Sequence, residues 1–334
     1  MITLSRRNGA TEADGGCPVI EDSTMRLVRI GLGAIDTTVG AFRDNTDRAI
    51  AVAHAMAADA VTIGVLPEQA IGGYPVEDLI QWQGFVARQW PGLERFARET
   101  AALPTVFVIG VSVLHDGLRY NCAATVAGGK IRALTPKQKL PTYNIFYEGR
   151  TLSRGVPGAV SAVHGVPFGD LVVRFDFGTI APEVCEDLWS PDGPTKRRTY
   201  SGAELVCNVS ASPFRLGVVQ TRRELIATRA ADYQCCIAYA NLVGANDGLI
   251  FDGGGYVNQN GKWVLEASRW RPGFAAATVD LDRTPRLRAE NTTWRDDAEH
   301  WLASNVPVAM VDIPAAEFST GSGRAGLTYP VPAH

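Results

Sequence analysis

The chain has 334 residues, of which 46% are apolar and 20% charged, and its 32 basic and 35 acidic residues leave a net charge of −3. That composition supports a sizeable core and excludes wholesale disorder, and the length fits one large layered domain or two smaller ones. No Lys/Arg run is long enough to follow a phosphate backbone, and no apolar stretch approaches the ~18 residues that cross a bilayer, so neither nucleic acid nor a membrane is an expected partner.

Residues 1–24 carry Arg6 and Arg7 among small and polar side chains and lack the apolar centre of a secretory signal. They read as a loose tail on a soluble, cytoplasmic protein, with Met25 as a second candidate start. Leu27–Ala34 then reads as a strand, Phe42–Ala58 as a helix and residues 61–66 as a strand ending at Pro67-Glu68. A helix over 76–100, broken at Pro91, precedes a buried strand at 105–114. Residues 120–126 pair through Gly128-Gly129 with Lys130–Pro136.

Beyond these come strands at Leu171–Phe175, 179–184 and Leu205–Ser210, a helix over 219–233 and a strand at 236–243. A hairpin of 248–258 with 262–267 turns at Asn260-Gly261, a strong hairpin signal. Lys196-Arg197-Arg198 reads as a solvated helix face. Past Pro285 the periodicity fades, and 314–334 read as an arm or tail. The alternation predicts one mixed α/β domain over 25–313, with sheets covered by helices.

Several chemistries find no support. Gly-x-Gly-x-x-Gly after a strand is absent, Gly253-Gly254-Gly255 falls inside a hairpin, and no P-loop is present. The cysteines at 17, 122, 185, 207, 235 and 236 form no Cys-x-x-Cys pair and the five histidines are scattered, so no metal site is expected.

Three polar residues instead close apolar strands, where a rigid sheet fixes a loop root: Glu68, Lys137 and Cys185. A thiol beside Glu183, Glu186 and Asp187 should be a poor nucleophile by itself, since carboxylates disfavour the thiolate. With a carboxylate as base and an ammonium to receive negative charge, the same thiol can run acyl transfer through a thioester. Plain surface loops are the competing reading of these three positions.

The local words are distinctive. They are Pro67-Glu68-Gln69-Ala70-Ile71-Gly72-Gly73-Tyr74-Pro75, then Pro136-Lys137-Gln138-Lys139-Leu140-Pro141-Thr142-Tyr143-Asn144-Ile145-Phe146-Tyr147-Glu148, then Pro182-Glu183-Val184-Cys185-Glu186-Asp187-Leu188-Trp189. In this order they resemble the nitrilase, or carbon–nitrogen hydrolase, superfamily, and within it the glutaminase domain of glutamine-dependent NAD synthetases. The resemblance runs from about residue 26 to 300. It implies a four-layer α-β-β-α sandwich, no metal or organic cofactor, and assembly as a homo-oligomer.

Carried over by position, the resemblance makes Cys185 the nucleophile and Glu68 the general base. Lys137 becomes the oxyanion-stabilising ammonium, acting with the backbone N–H of Glu186. Lys137 rather than Lys139 matches the family's lysine, three residues before Leu-Pro. Glu148 matches an additional carboxylate that orients the lysine, against a surface ion pair with Arg150. Tyr74 matches a pocket wall, against a packing aromatic. Asn208-Val209-Ser210-Ala211-Ser212-Pro213 resembles a loop that binds the amino-acid end of glutamine, which nominates Ser210 and Ser212. A lysine often follows the glycine of that word, and here Val218 follows Gly217.

Synthetases of this type also carry a Ser-Gly-Gly-x-Asp-Ser loop that uses ATP, and this sequence has none. The expected activity is hydrolysis of L-glutamine to glutamate and ammonia for a separate ATP-dependent synthetase subunit. The alternative is an independent amidase or nitrilase acting on another small C–N substrate.

Overall fold

The computed structural model describes residues 25–321. The expected N-terminal tail over 1–24, and the part of the C-terminal arm beyond residue 321, lie outside the described residues.

Two mixed sheets of eight strands form the frame. The first runs, in spatial order, Gly273–Asp280, Leu27–Ala34, Ile63–Val65, Val106–His115, Leu118–Ala127, Lys130–Pro136, Val166–Gly169 and Val160–Val163. The second runs Val243–Asn246, Leu249–Gln259, Cys236–Asn241, Leu205–Ser210, Gly178–Val184, Leu171–Phe175 and Ala309–Asp312, with Lys262–Arg269 added on Leu249–Gln259.

Alternation along the strands assigns the layers. Val106 and Val108 join Ile180, Leu205 and Cys207 in the core between the sheets. The intervening Phe107 and Ile109 meet Ala49, Ala53 and Met56 of helix Phe42–Ala58 and Leu93 and Phe96 of helix Gln89–Glu99. On the far side Val206, Ile237 and Tyr239 meet Ile226 and Ala230 of helix Val218–Asp232. The order is therefore helix, sheet, sheet, helix. Both sheets are covered on both faces, which is why their central strands read as near-continuous apolar runs.

The structure departs from the sequence reading at several points. The helix expected over 76–100 is three pieces: a 3-10 turn Glu77–Gln81, then helices Gln83–Ala87 and Gln89–Glu99. Pro91 does not break the chain. It is the third residue of its helix, where the missing N–H would have had no intrahelical partner. Arg198 is not solvated but fully buried, 3.0 Å from Asp170 and donating to the Pro182 carbonyl at 2.7 Å.

Beyond Pro285 the chain forms helices Arg283–Glu290 and Thr292–Ser304 and the edge strand Ala309–Asp312, parallel to Leu171–Phe175. The first of these helices buries only Thr284 and Arg288, so it has no apolar stripe to read. Finally, Gly273–Asp280 pairs antiparallel with Leu27–Ala34, a partner at the opposite end of the sequence. In the segment after residue 313, Phe318 and Thr320 are buried.

Candidate active site

Three strand ends converge. Glu68 follows Ile63–Val65 through Leu66-Pro67, and its loop lies directly against Gly110 of the neighbouring strand. A Cβ at Gly110 would stand 2.5 Å from Glu68 Cα, so only glycine lets the loop pass this close. Lys137 follows Lys130–Pro136 in the same sheet, and Cys185 follows Gly178–Val184 in the other.

Cys185 has φ 43° and ψ −96° and heads the four-residue helix Glu186–Trp189. A non-glycine residue held in so sparsely populated a conformation costs about 1–3 kcal/mol, and the surroundings must over-determine it. They do so here: Cys185 N–H donates to the Val209 carbonyl at 2.9 Å, and the Cys185 carbonyl accepts from Leu188 N–H at 3.1 Å. Glu186 N–H, at the first position of that helix, belongs to the turn whose donors lack intrahelical partners.

Glu68 and Lys137 are almost wholly buried, at 0% and 1% exposure, and Glu148 is 7% exposed. Lys137 Nζ hydrogen-bonds Glu68 Oε1 at 2.7 Å and Glu148 Oε1 at 2.9 Å, and lies 2.7 Å from Glu148 Oε2. Glu68 is further fixed by Asn121 Nδ2 on Oε1 at 2.6 Å and by Ala211 N–H on Oε2 at 2.9 Å. The Tyr74 hydroxyl donates to Glu148 Oε1 at 3.1 Å.

Burial opposes the charge on Lys137, but Glu148 and Glu68 overcome it and hold the ammonium protonated well above the usual lysine range. Burial pushes the Cys185 thiol well up, Glu68 adds to this and Lys137 opposes it, so the resting group is a neutral thiol. Burial also lifts Glu148 to about 7, against the pull of Lys137. The arrangement provides a neutral thiol, a fixed carboxylate able to take its proton, and a permanent cation among buried acceptors.

A cavity of about 660 Å³ opens onto Cys185, bounded by Tyr143, Phe146, Glu186, Ser212, Arg215 and Leu249 among others. Its charged side chains are Glu186 and Arg215. Tyr143 donates to the Glu186 carboxylate at 3.0 Å. Val218 also lines it.

Ser212 lines this cavity, with its N–H held by Asn241 Oδ1 at 2.8 Å, whereas Ser210 is fully buried and donates to Asn208 Oδ1 at 2.7 Å. Tyr74 is buried against Phe251 and lines a smaller neighbouring cleft together with Glu148. Arg150, the competing partner for Glu148, pairs with Asp78 at 3.5 Å.

Sequence reasoning missed Asn121, Tyr143 and Arg222. Arg222 is buried, donating to Asp252 at 2.7 Å and to the Ser212 carbonyl at 2.7 Å, and so pins the cavity wall. Asn121 had a visible signal, a lone amide in an apolar strand. Arg222 looked like any helix-surface cation.

Glu183, expected to act on the thiol, turns instead into a separate buried cluster. It accepts from Thr195 Oγ1 at 3.0 Å and lies 3.7 Å from Arg198. Burial lifts it to about 7, above an unfolded value near 4.3. A raised carboxylate contributes stability that is present below the unfolded value and lost as pH rises through about 7. Glu183→Gln should therefore raise the melting temperature over wild type at pH 8 and leave it unchanged near pH 4.5. Thermal unfolding at the two pH values measures this, and equal shifts at both would remove Glu183 as the titrating group.

The four-layer α-β-β-α frame that carries these strand ends is a nitrilase-type fold. Residues 29–289 match the carbon–nitrogen hydrolase family, and the chain belongs to it. It is 36% identical over 260 residues to the glutamine-dependent NAD(+) synthetase of Xanthomonas campestris, covering 77% of this chain and 43% of that relative. It is 28% identical over 296 residues to that of Aquifex aeolicus, covering 88% and 50%. The chain thus spans half or less of the length of these relatives.

Among solved structures, a glutamine-dependent NAD(+) synthetase from Cytophaga hutchinsonii superposes with TM-score 0.70 at 25% identity, over 77% of this chain and 43% of that one. An amidase from Nesterenkonia sp. shares the fold at TM-score 0.63 and 22% identity, over 81% and 97%.

Proposed function

We propose that this carbon–nitrogen hydrolase is a glutaminase that releases ammonia from L-glutamine for an ATP-dependent synthetase activity. The observation that carries the chemistry is the buried Lys137 ammonium, bonded to Glu68 at 2.7 Å, in a strand-end cluster with Cys185. Glu68 takes the thiol proton as sulfur attacks the amide carbon. The carbonyl oxygen becomes an oxyanion received by Lys137 Nζ and Glu186 N–H. Ammonia leaves with the proton from Glu68, and a thioester remains on Cys185. Glu68 then deprotonates a water that opens the thioester, and glutamate departs.

The choice of glutamine is supported by the relatives' glutamine dependence and by the cavity's pairing of one carboxylate, Glu186, with one guanidinium, Arg215. Those opposite charges suit the two ends of a free amino acid. The apolar walls at Leu249 and Ile250, with Val218 beside them, favour the second reading, an amidase for a less polar amide.

Ammonia release from L-glutamine, acetamide and propionamide, with Cys185→Ala as blank, separates the two. Slow Cys185-dependent release from glutamine, with the simple amides inert, supports the first. Fast turnover of a simple amide with glutamine inert overturns it.

Glu148 supplies a pH signature. Its ionised form is the one that holds Lys137, and burial sets its value at about 7. Turnover should rise as pH passes through about 7, and Glu148→Gln should lose that limb and run about tenfold slower at pH 8. An unchanged pH–rate profile in the variant would assign the limb elsewhere.

A further inference from the structure

Asp187 stands two residues after Cys185 and is fully buried. Its Oδ1 accepts from the backbone N–H groups of Gln138 and Lys139, both at 2.9 Å, and its Oδ2 accepts from Val184 N–H at 3.3 Å. One carboxylate thus grips the two residues that follow Lys137 and the residue that precedes Cys185. The backbone N–H groups of Lys137 and Cys185 themselves run back into their own neighbourhoods. Lys137 N–H donates to the Asn121 carbonyl at 2.8 Å, and Cys185 N–H to the Val209 carbonyl at 2.9 Å. Elsewhere the two sides meet through Lys139 with Asp192 at 3.2 Å and Tyr143 with Glu186 at 3.0 Å, both exposed, and through Arg197, which donates to the Gln138 side-chain carbonyl in a half-buried contact.

We propose that Asp187 is a positioning residue that sets the separation between the Lys137 ammonium and the Cys185 sulfur across the two sheets. This rests on the reading of Lys137 as oxyanion donor given above. Hydrogen bonds to an ionised acceptor are about twice as strong as neutral ones, and a buried carboxylate is costly unless such donors meet it. Oxyanion donors act only within about 3 Å of the developing charge, and misplacement by about 1 Å costs on the order of 10²-fold. Asparagine at 187 keeps the size but offers one acceptor oxygen, so its NH2 faces a backbone N–H and one of the two segments is released.

The test avoids any dependence on the substrate. Iodoacetamide alkylation of Cys185, followed by mass spectrometry, reports the thiol and its base. Protection by propionaldehyde reports the oxyanion site. Sulfur adds to the aldehyde carbon as the C=O π bond breaks, and the thiol proton passes to the hemithioacetal oxygen.

Asp187→Asn should be alkylated within about threefold of the wild-type rate yet need about tenfold more aldehyde for half-protection. Lys139→Pro deletes one of the three donors without touching the carboxylate, and should need about threefold more; it carries the test if Asp187→Asn does not fold. Wild-type protection in folded Asp187→Asn, or in Lys139→Pro where that variant alone folds, overturns the proposal.

Lys137→Ala distinguishes the two levels. If it loses protection while Asp187→Asn keeps it, the clamp alone is wrong. If Lys137→Ala is itself protected like wild type, Lys137 is not the oxyanion donor and both readings fall.

Discussion

Lys137→Ala should lower turnover by at least about 10³-fold and should also weaken the fold in a pH-dependent way. Removing one oxyanion donor costs about 10²–10³ in rate, and here the lost donor is a full cation rather than an amide. A second loss adds to it. Lys137 is the buried counter-charge that both Glu68 and Glu148 contact, at 2.7 Å each, and without it two carboxylates share a site with no cation between them. With the ammonium gone the two carboxylates lose their shared counter-charge, and Glu148, already raised, keeps its proton to higher pH.

Breaking a buried ion pair by deleting one partner typically costs about 3–5 kcal/mol, because the remaining charge stays desolvated. The sign of the pH effect follows. Glu148, already lifted to about 7 by burial, rises further without the lysine. Its contribution is then fully present below the unfolded carboxylate value and lost as pH climbs, so the variant should approach wild-type stability near pH 5 and fall furthest behind at pH 8. Chemical denaturation at the two pH values, with turnover measured on protein shown to be folded, checks both halves. Wild-type turnover in a folded variant would remove Lys137 from the chemistry.

How much of this was legible before the fold was known depends on what each residue is near in sequence. The central strands and the mixed α/β character were readable because strands buried on both faces are continuous apolar words, as at residues 106–109 and 205–207, whereas the four-layer order came from the family resemblance. The Glu68, Lys137 and Cys185 positions were readable because each ends such a word. What failed shares a cause: the deciding partner is remote. Arg198 sits in a run of three cations whose local chemistry says solvent, and its burial is set by Asp170 and the Pro182 carbonyl beneath it.

Asp187 was read as one of three acids raising the thiol, whereas its carboxylate is occupied by backbone N–H groups from a segment far upstream. Ser210 and Ser212 belong to one loop word but part company at the strand end, the first into the core and the second onto the cavity. Period-two alternation separates them only when the strand is known to end between them.

Glu68→Gln should be the more selective lesion: turnover down by about 10⁴-fold, with stability close to wild type. A positioned general acid–base contributes about 10²–10⁴, and Glu68 is proposed to act in forming the thioester and again in opening it. The glutamine side chain fits the same space but cannot satisfy the same donors. Lys137 and Asn121 both donate to Oε1, and Ala211 N–H donates to Oε2, so either orientation of the amide turns its NH2 toward a donor. That mismatch costs about 1–3 kcal/mol.

Against it stands a gain. The cluster of one ammonium and two carboxylates becomes one ammonium and one carboxylate, Glu148, at 2.7 Å, and the like-charge repulsion disappears. The two effects are of similar size and opposite sign, so melting should barely move where Lys137→Ala falls sharply. Iodoacetamide reactivity gives the independent readout. A thiol pushed up by burial and left without its base should alkylate at least about tenfold more slowly, and the rate should not recover when pH is raised through 7. Alkylation at the wild-type rate in folded Glu68→Gln would mean that another group takes the Cys185 proton, and Glu68 would then be a structural anchor for Lys137.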